Sequence, residues 1–169
     1  MTDMSAAGPP QGAHRSPSGG SAAAESGNEA ASVGAHKTFR FPVRVYYEDT
    51  DAAGVVYYAN YLKFMERART EWLSSLGFDL AAVEREHGIV FVVHRVEIDF
   101  RKPAQLSDRL DVTLTLRELG RARLVADQAV KRGAETLTQA RVTLACLGPS
   151  NWRPARIPAP LAARMEALL

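Results

Sequence analysis

The acidic segment at residues 48–54 holds the side chains best suited to catalysis. It contains Glu48, Asp49 and Asp51, then small residues and Gly54, and a segment with helical spacing follows. The first N–H groups of a helix lack partners within it, and with the helix dipole they stabilise negative charge on a carbonyl oxygen. A nearby carboxylate can act as a general base or nucleophile. We therefore predict that Asp51 and the N–H groups around residues 57–60 form the site; the alternative is that Asp51 is a helix cap or a solvated charge.

The helix expected after this loop covers residues 60–76. Its apolar side chains recur in steps of three and four and form a wide stripe, so one face should be covered, and Gly77 provides the stop. A sheet is the expected cover. A second, shorter helix is predicted from Asp79 as N-cap to the pair His87 and Gly88.

The rest of the core reads as strands. Residues 39–45 alternate between apolar and polar side chains, with Pro42 favouring a sheet edge, and residues 89–147 form at least four more strands joined by short turns. Such turns require antiparallel pairing. The predicted class is α+β. Because one helix covers only one sheet face, a dimer or higher oligomer is expected.

The chain divides into three parts by composition. In residues 1–36, 24 of 36 positions are Ala, Gly, Ser or Pro, and Leu, Ile, Phe, Tyr and Trp are absent, so this tail cannot bury a core. The folded domain is predicted for residues 37–150. Residues 151–169 form a C-terminal extension, with a short helix expected over residues 161–169.

Charge and cysteine content narrow the function classes. The net charge is +2; the tail contributes −2, which leaves +4 for the remaining 133 residues. That charge is too small to indicate nucleic-acid binding, while anionic small ligands fit it.

The single Cys146 lies in an apolar strand and is predicted to be a buried thiol. Residues with metal-ligand spacing, an apolar stretch of membrane-spanning length and a secretion signal are all missing from the sequence, so a cytoplasmic protein is predicted.

Residues 44–61 carry a recognisable motif, RVYYEDTDAAGVVYYANY, which resembles the signature of the 4-hydroxybenzoyl-CoA thioesterase family. The continuation LKFMERARTEWL is similar to the YbgC branch, acyl-CoA thioesterases associated with the Tol-Pal system. The likeness covers residues 38–160. It implies a hotdog fold, a long central helix wrapped by a five- to six-stranded antiparallel sheet, in homodimers or homotetramers with active sites at the dimer interface. It also implies a role in lipid metabolism, with coenzyme A as part of the substrate and no cofactor or metal.

The resemblance also assigns roles to individual residues. It implies that Asp51 is catalytic, either attacking the thioester or activating water, and that the Tyr58 backbone N–H is the oxyanion donor. Many YbgC members have a histidine where this chain has Tyr58, so only the backbone role carries over. A related branch uses a helical glutamate as its base, which makes Glu66 a further candidate; the alternative is an ion pair with Arg67 or Arg69.

Other residues near the motif are candidates for substrate binding. Asp49 is predicted to be structural, bonding loop N–H groups. Tyr57, Asn60 and Tyr61 either line the acyl pocket or serve the loop and core. Arginines and lysines at strand ends are candidates for the phosphates of coenzyme A. The substrate-binding candidates are Gly54, Val55, Tyr57, Asn60, Tyr61, Arg95, Arg101 and Lys102, with Arg121 and Arg123 as further candidates for the phosphates.

Three readings of the function remain open from the sequence. The leading one is a thioesterase acting on acyl-CoA, or on acyl groups carried by acyl carrier protein. A hydratase on the same fold would need a histidine near the loop, and the sequence places none there. The third is a non-catalytic module that binds acyl-CoA or acyl carrier protein within an envelope or lipid-synthesis complex.

Overall fold

The computed structural model describes residues 36–169. The tail predicted for residues 1–36 lies, apart from His36, outside the described residues. Between Thr38 and Glu166 the chain forms five strands and three α-helices, with a single 3₁₀ turn at Tyr47–Asp49.

One antiparallel sheet contains all five strands of the described part. These are β1 (Thr38–Arg44), β2 (Val90–Phe100), β3 (Arg109–Leu119), β4 (Arg123–Arg132) and β5 (Glu135–Leu147). Their order across the sheet is β1-β3-β4-β5-β2, so the edges are β1 and β2. The edge position predicted from Pro42 is confirmed, since β1 pairs only with β3.

The central helix α1 (Tyr58–Ser75) lies across the sheet and packs against β1, β3 and β4. It begins two residues before the predicted start at residue 60, since residues 58 and 59 form its first two positions. Phe64, Met65 and Ala68 on its inner face are fully buried, as are Val112 and Leu114 on β3. This is the helix-in-sheet arrangement expected of the hotdog fold.

Two shorter helices complete the fold. Helix α2 (Leu80–His87) follows α1, and α3 (Ala159–Glu166) buries Leu161 and Met165. The C-terminal helix therefore starts and ends earlier than the predicted 161–169. Gly88 ends α2 with φ +62°, a left-handed conformation that glycine adopts without steric cost.

The N-cap of α2 supports a stability prediction. Asp79 Oδ1 accepts the Ala82 N–H at 2.9 Å, so Asp79→Ala should lower the free energy of unfolding by about 1 kcal/mol. Urea denaturation measures the change. Asp79→Ser keeps a capping oxygen and should stay within about 0.5 kcal/mol of wild type; an equal loss in both variants would show that the cap is not the cause.

Candidate functional site

Asp51 lies at the tip of a small backbone hairpin before α1. Thr50 pairs with Val56 across this hairpin. The Asp51 N–H donates to the Val55 carbonyl at 3.0 Å, and the Gly54 N–H donates to the Asp51 carbonyl at 2.9 Å. Gly54 has φ +73°, which a side chain at that position would strain. The turn leaves the Asp51 carboxylate exposed, with Oδ1 accepting the Ala53 N–H at 2.8 Å.

Asp49 and Asn60 anchor the base of the hairpin. Asp49 is 6% exposed and its Oδ2 accepts the Tyr46 N–H at 2.9 Å. Its carbonyl accepts both the Tyr57 N–H and the Asn60 Nδ2–H, each at 2.9 Å. The structural role predicted for Asp49 is confirmed. Asn60, itself 5% exposed, ties the loop to the first turn of α1.

The start of α1 presents unpaired donors. Neither the Tyr58 N–H nor the Ala59 N–H has a hydrogen-bond acceptor among residues 36–169, whereas the Tyr57 and Asn60 N–H groups are both bonded to backbone carbonyls. Tyr57, the N-cap, makes no side-chain cap. The geometry therefore provides two free N–H groups at the positive end of an 18-residue helix.

An aromatic cavity of about 240 Å³ adjoins the helix start. Its walls include the rings of Tyr58, Tyr61 and Phe100, and no histidine of the described part lines it. The Phe100 ring lies edge-on to Tyr58 at 6.3 Å and to Tyr61 at 5.7 Å between centroids. The Tyr61 hydroxyl accepts the Ala104 N–H at 2.8 Å, and burial raises the pKa of Tyr61. These contacts fix the Tyr61 ring as a rigid wall.

The rings of Tyr57 and Tyr58 contact each other beside the loop, tilted by 51° with centroids 4.6 Å apart. Hydrogen bonding with the Tyr58 side chain raises the pKa of Tyr57, and the negative charge of Asp51 raises it further. Tyr57 is therefore a neutral phenol at physiological pH.

Two of the five cationic candidates lie at this cavity. Arg101 and Lys102 line it; Arg101 donates to Gln139 Oε1 at 2.7 Å, and Lys102 pairs with Glu135. Arg95 pairs with Glu97 at 2.6 Å in the middle of β2. At about 3.4 Å per residue it lies about 17 Å along the strand from Phe100. One chain therefore brings Arg101 and Lys102 to the site, but not Arg95.

Glu66 is remote from the loop within one chain. It lies eight residues after Tyr58, about 12 Å along the helix axis. The alternative role, an ion pair with Arg67 or Arg69, is not formed within the described residues: Glu66 Oε1 accepts the Thr70 hydroxyl at 3.0 Å, and Arg69 Nη1 donates to Gln128 Oε1 at 2.9 Å. Arg69 instead contacts the buried amide of Gln128 on β4, a partner that helix spacing does not predict.

Sequence reasoning missed the segment that supports the hairpin from behind. Val55 pairs with Gln105, and the Val56 N–H donates to the Ala104 carbonyl at 2.9 Å. Arg132 Nη1 in turn donates to Asp108 Oδ2 at 2.7 Å and holds this segment against β4. In the sequence, Pro103 indicates a break after a strand but does not reveal which segment lies beside it.

Cys146 is fully buried on β5, as predicted. Burial raises the pKa of its thiol to about 11, so the reactive thiolate is scarce near neutral pH. The folded chain should give no signal with a disulfide thiol reagent at pH 8 over an hour, and one thiol per chain after unfolding in guanidinium. Rapid reaction of the folded chain would contradict the buried placement.

Two structural features are absent from the described part of the chain. Residues 36–169 hold no group of three His, Cys, Asp or Glu side chains placed to bind a metal ion. Over the same residues, no helix is both long and apolar enough to span a membrane.

Residues 53–139 match the model of the thioesterase superfamily. The chain is 43% identical over 120 residues to the acyl-CoA thioesterase YbgC of Haemophilus influenzae, covering 71% of this chain and 88% of that protein. It is 39% identical over 129 residues to the acyl-CoA thioester hydrolase YbgC of Escherichia coli, covering 76% and 96%.

Solved structures give the same result for the fold. A probable thioesterase from Bartonella henselae superposes with a TM-score of 0.69 at 37% identity, covering 72% of this chain and all (100%) of that one. A 1,4-dihydroxy-2-naphthoyl-CoA thioesterase from Synechocystis superposes with a TM-score of 0.72 at 30% identity, covering 78% and 98%. The predicted hotdog fold is confirmed.

Proposed function

The chain belongs to the thioesterase superfamily, in its YbgC branch, and hydrolyses acyl-CoA thioesters; from this premise we propose that Asp51 is its catalytic carboxylate. The proposal depends on one observation above all. An exposed carboxylate at the hairpin tip comes seven residues before a helix start whose Tyr58 N–H is free within the described residues. The family match begins at residue 53, so the role of Asp51 depends on this geometry and on the motif around it.

In the proposed reaction the thioester carbonyl oxygen accepts the Tyr58 N–H. As the carbonyl carbon is attacked, negative charge grows on that oxygen, and the helix N-terminus stabilises it. Asp51 either removes a proton from the attacking water or attacks the carbon itself, forming an anhydride that water then opens. The thiolate leaves and takes up a proton. These steps require only the carboxylate, the N–H and water.

The aromatic cavity provides the proposed passage for the thiol arm. Its apolar walls suit a narrow organic chain, while Arg101 and Lys102 on its lining provide positive charge for the phosphates of coenzyme A. Both cations already have protein partners, Gln139 and Glu135. A phosphate must therefore compete with these contacts, which favours modest affinity and rapid release of the free thiol.

Release of free thiol from defined thioesters tests the activity. The panel consists of acyl-CoA substrates of increasing chain length, an aryl-CoA, and the same acyl groups on acyl carrier protein. Multiple turnovers with acyl-CoA are expected. Stoichiometric binding without thiol release would instead identify a non-catalytic module, and turnover only on carrier protein would change the proposed thiol carrier.

We also propose that two chains associate through β2, one of the two edge strands. Val93 and Phe100 on this strand are 46% and 49% exposed, large values for apolar side chains at a sheet edge. In antiparallel pairing of two β2 strands about Val96, Arg95 lies opposite Glu97 of the second copy. The charges are therefore self-complementary, as a two-fold interface requires.

Light scattering tests the proposed dimer. Arg95→Glu places like charges opposite each other and should shift the mass from dimer or tetramer toward monomer. Arg40→Glu makes the same charge change on β1, the other edge, and should leave the mass unchanged. A monomeric wild type would overturn the proposal.

The cytoplasmic location and the Tol-Pal association also stay predictions. Cell fractionation tests the cytoplasmic location.

A further inference from the structure

A second cavity lies between the C-terminal half of α1 and the sheet. Its volume is about 140 Å³, close to that of an apolar cavity that admits benzene, about 150 Å³. Most of the lining is apolar and includes Trp72, Leu73, Phe91 and Leu144. The polar exceptions all come from one stretch of α1: Glu66, Arg69 and Thr70.

Arg69 is a partly buried cation on this lining. Burial lowers its pKa, and the nearby charge of Glu66 opposes that effect; arginine nevertheless stays protonated. It forms no ion pair with a carboxylate of residues 36–169, and its one protein hydrogen bond there is from Nη1 to Gln128 Oε1 at 2.9 Å. A guanidinium has five N–H donors, so most remain for a ligand.

Gln128 fixes the position of Arg69. It is 1% exposed, and its Nε2 donates to the Met65 carbonyl at 3.0 Å. That bond orients the amide so that its oxygen faces Arg69. A buried amide whose donor and acceptor ends are both occupied is a rigid support.

An apolar cavity with one partly buried cation fits an amphipathic anion. The planar guanidinium matches a carboxylate in a bidentate geometry, and the apolar walls accept a small hydrocarbon group. Glu66 also lines the cavity, but its side chain is exposed and already bonded to Thr70. Its repulsion of an anion is therefore screened by water.

We propose that this cavity binds a carboxylate carried on an apolar group of about six carbon atoms, the size of benzene, with Arg69 as its ion-pair partner. Arg69 lies eleven residues after Tyr58, about 16 Å along the helix. A six-carbon acyl group held at Tyr58 of the same chain is shorter than this separation of the two backbone positions. The carboxylate therefore belongs to a free acid, or to an acyl group bound at the site of a second copy.

Titration calorimetry with benzoate and hexanoate, against the neutral benzyl alcohol and 1-hexanol, tests the binding. Wild type should bind each carboxylate at least about tenfold more tightly than its alcohol. Arg69→Met, which keeps the unbranched aliphatic part of the side chain and removes the guanidinium, should abolish that preference. Arg67→Met removes a charge from an exposed neighbour on α1 and should retain it. Equal binding of acid and alcohol by wild type, or the same loss in both variants, would overturn the proposal.

A second readout does not depend on the Arg69 variant being folded. Trp72 lines the cavity and Trp152 lies in an exposed loop, so Trp152→Phe leaves Trp72 as the sole tryptophan. Benzoate should change Trp72 fluorescence with the affinity that calorimetry gives. Benzoate binding that leaves this signal unchanged would place the ligand elsewhere and contradict the proposal.

Enzyme kinetics distinguish the two sources of the carboxylate, a free acid and the acyl group bound at a second copy. Of the experiments on this cavity, only the kinetic one rests on the proposed function. If hexanoate lowers kcat without raising KM, the carboxylate belongs to a free acid that binds separately from the acyl-CoA substrate. If the acyl group is the source, hexanedioyl-CoA, which carries a terminal carboxylate, should have a kcat/KM about tenfold higher than that of hexanoyl-CoA. Arg69→Met should remove this difference. Absence of thiol release by wild type would defeat the proposed function while leaving benzoate binding to be judged separately.

Discussion

Asp51→Asn is expected to lower kcat for thioester hydrolysis by about a thousandfold, the middle of the range for loss of a positioned acid or base. The fold should persist, because the side chain is exposed and its one hydrogen bond, from the Ala53 N–H, can equally be accepted by an amide oxygen. What is lost is the negative charge that takes a proton or attacks carbon. Thiol release measures kcat, and thermal unfolding measures the fold.

Glu48→Gln is the matched control for this prediction. Glu48 is another exposed carboxylate of the same loop, and its neutralisation changes the net charge by the same amount. It should keep kcat within about threefold of wild type if only local screening changes. A folded Asp51→Asn protein with near-normal hydrolysis would remove Asp51 from the mechanism, whereas equal losses in both variants would point to loop charge instead.

The two roles of Asp51 differ in the fate of labelled water. In a single turnover in ¹⁸O water with enzyme in excess, a general base delivers the label to the product acid. A nucleophile whose anhydride is opened at the aspartyl carbon transfers an unlabelled oxygen to the first product and retains ¹⁸O in Asp51. In mass spectrometry, ¹⁸O in the peptide containing Asp51 therefore identifies a nucleophile, whereas label in the product acid alone is the result for a general base and for an anhydride opened at the acyl carbon.

The elements of the fold could be predicted because local rules and the core agree. Helical spacing, Gly77 and the Asp79 cap marked α1 and α2 within a few residues, and alternation around Pro42 marked an edge strand. Short turns required antiparallel neighbours. The order β1-β3-β4-β5-β2 did not follow from those signals, because both edges satisfy the same alternation.

The candidate site was predictable only where its residues are contiguous in sequence. Asp51 and Tyr58 occupy one motif, so their neighbourhood could be inferred. The partners of Arg69 and Tyr61 are 59 and 43 residues away, Gln128 and Ala104. A single sequence contains no signal linking such positions, and the ion pair expected from helix spacing was replaced by a buried amide that only the packed structure brings close.

Asn60→Ala should show how strongly the hairpin depends on its anchor. The substitution removes the buried Nδ2 donor to the Asp49 carbonyl, and a lost buried hydrogen bond costs about 1–3 kcal/mol in the free energy of unfolding. The Asp49 carbonyl keeps the Tyr57 N–H, so the loop should shift rather than unfold. Because misplacement by about 1 Å can cost about a hundredfold, kcat should fall about ten- to a hundredfold.

Two comparison variants separate positioning by Asn60 from a general loss of stability. Thr50→Val removes an exposed loop hydrogen bond, from Oγ1 to the Tyr47 carbonyl at 2.9 Å, and should cost no more than about 0.5 kcal/mol with little change in kcat. Asn60→Asp keeps the size but replaces the donor by a carboxylate facing a carbonyl, so it should impair kcat at least as much as Asn60→Ala. Wild-type kcat in either Asn60 variant, measured well below its unfolding transition, would show that the Asp51 hairpin holds its catalytic geometry without this bond.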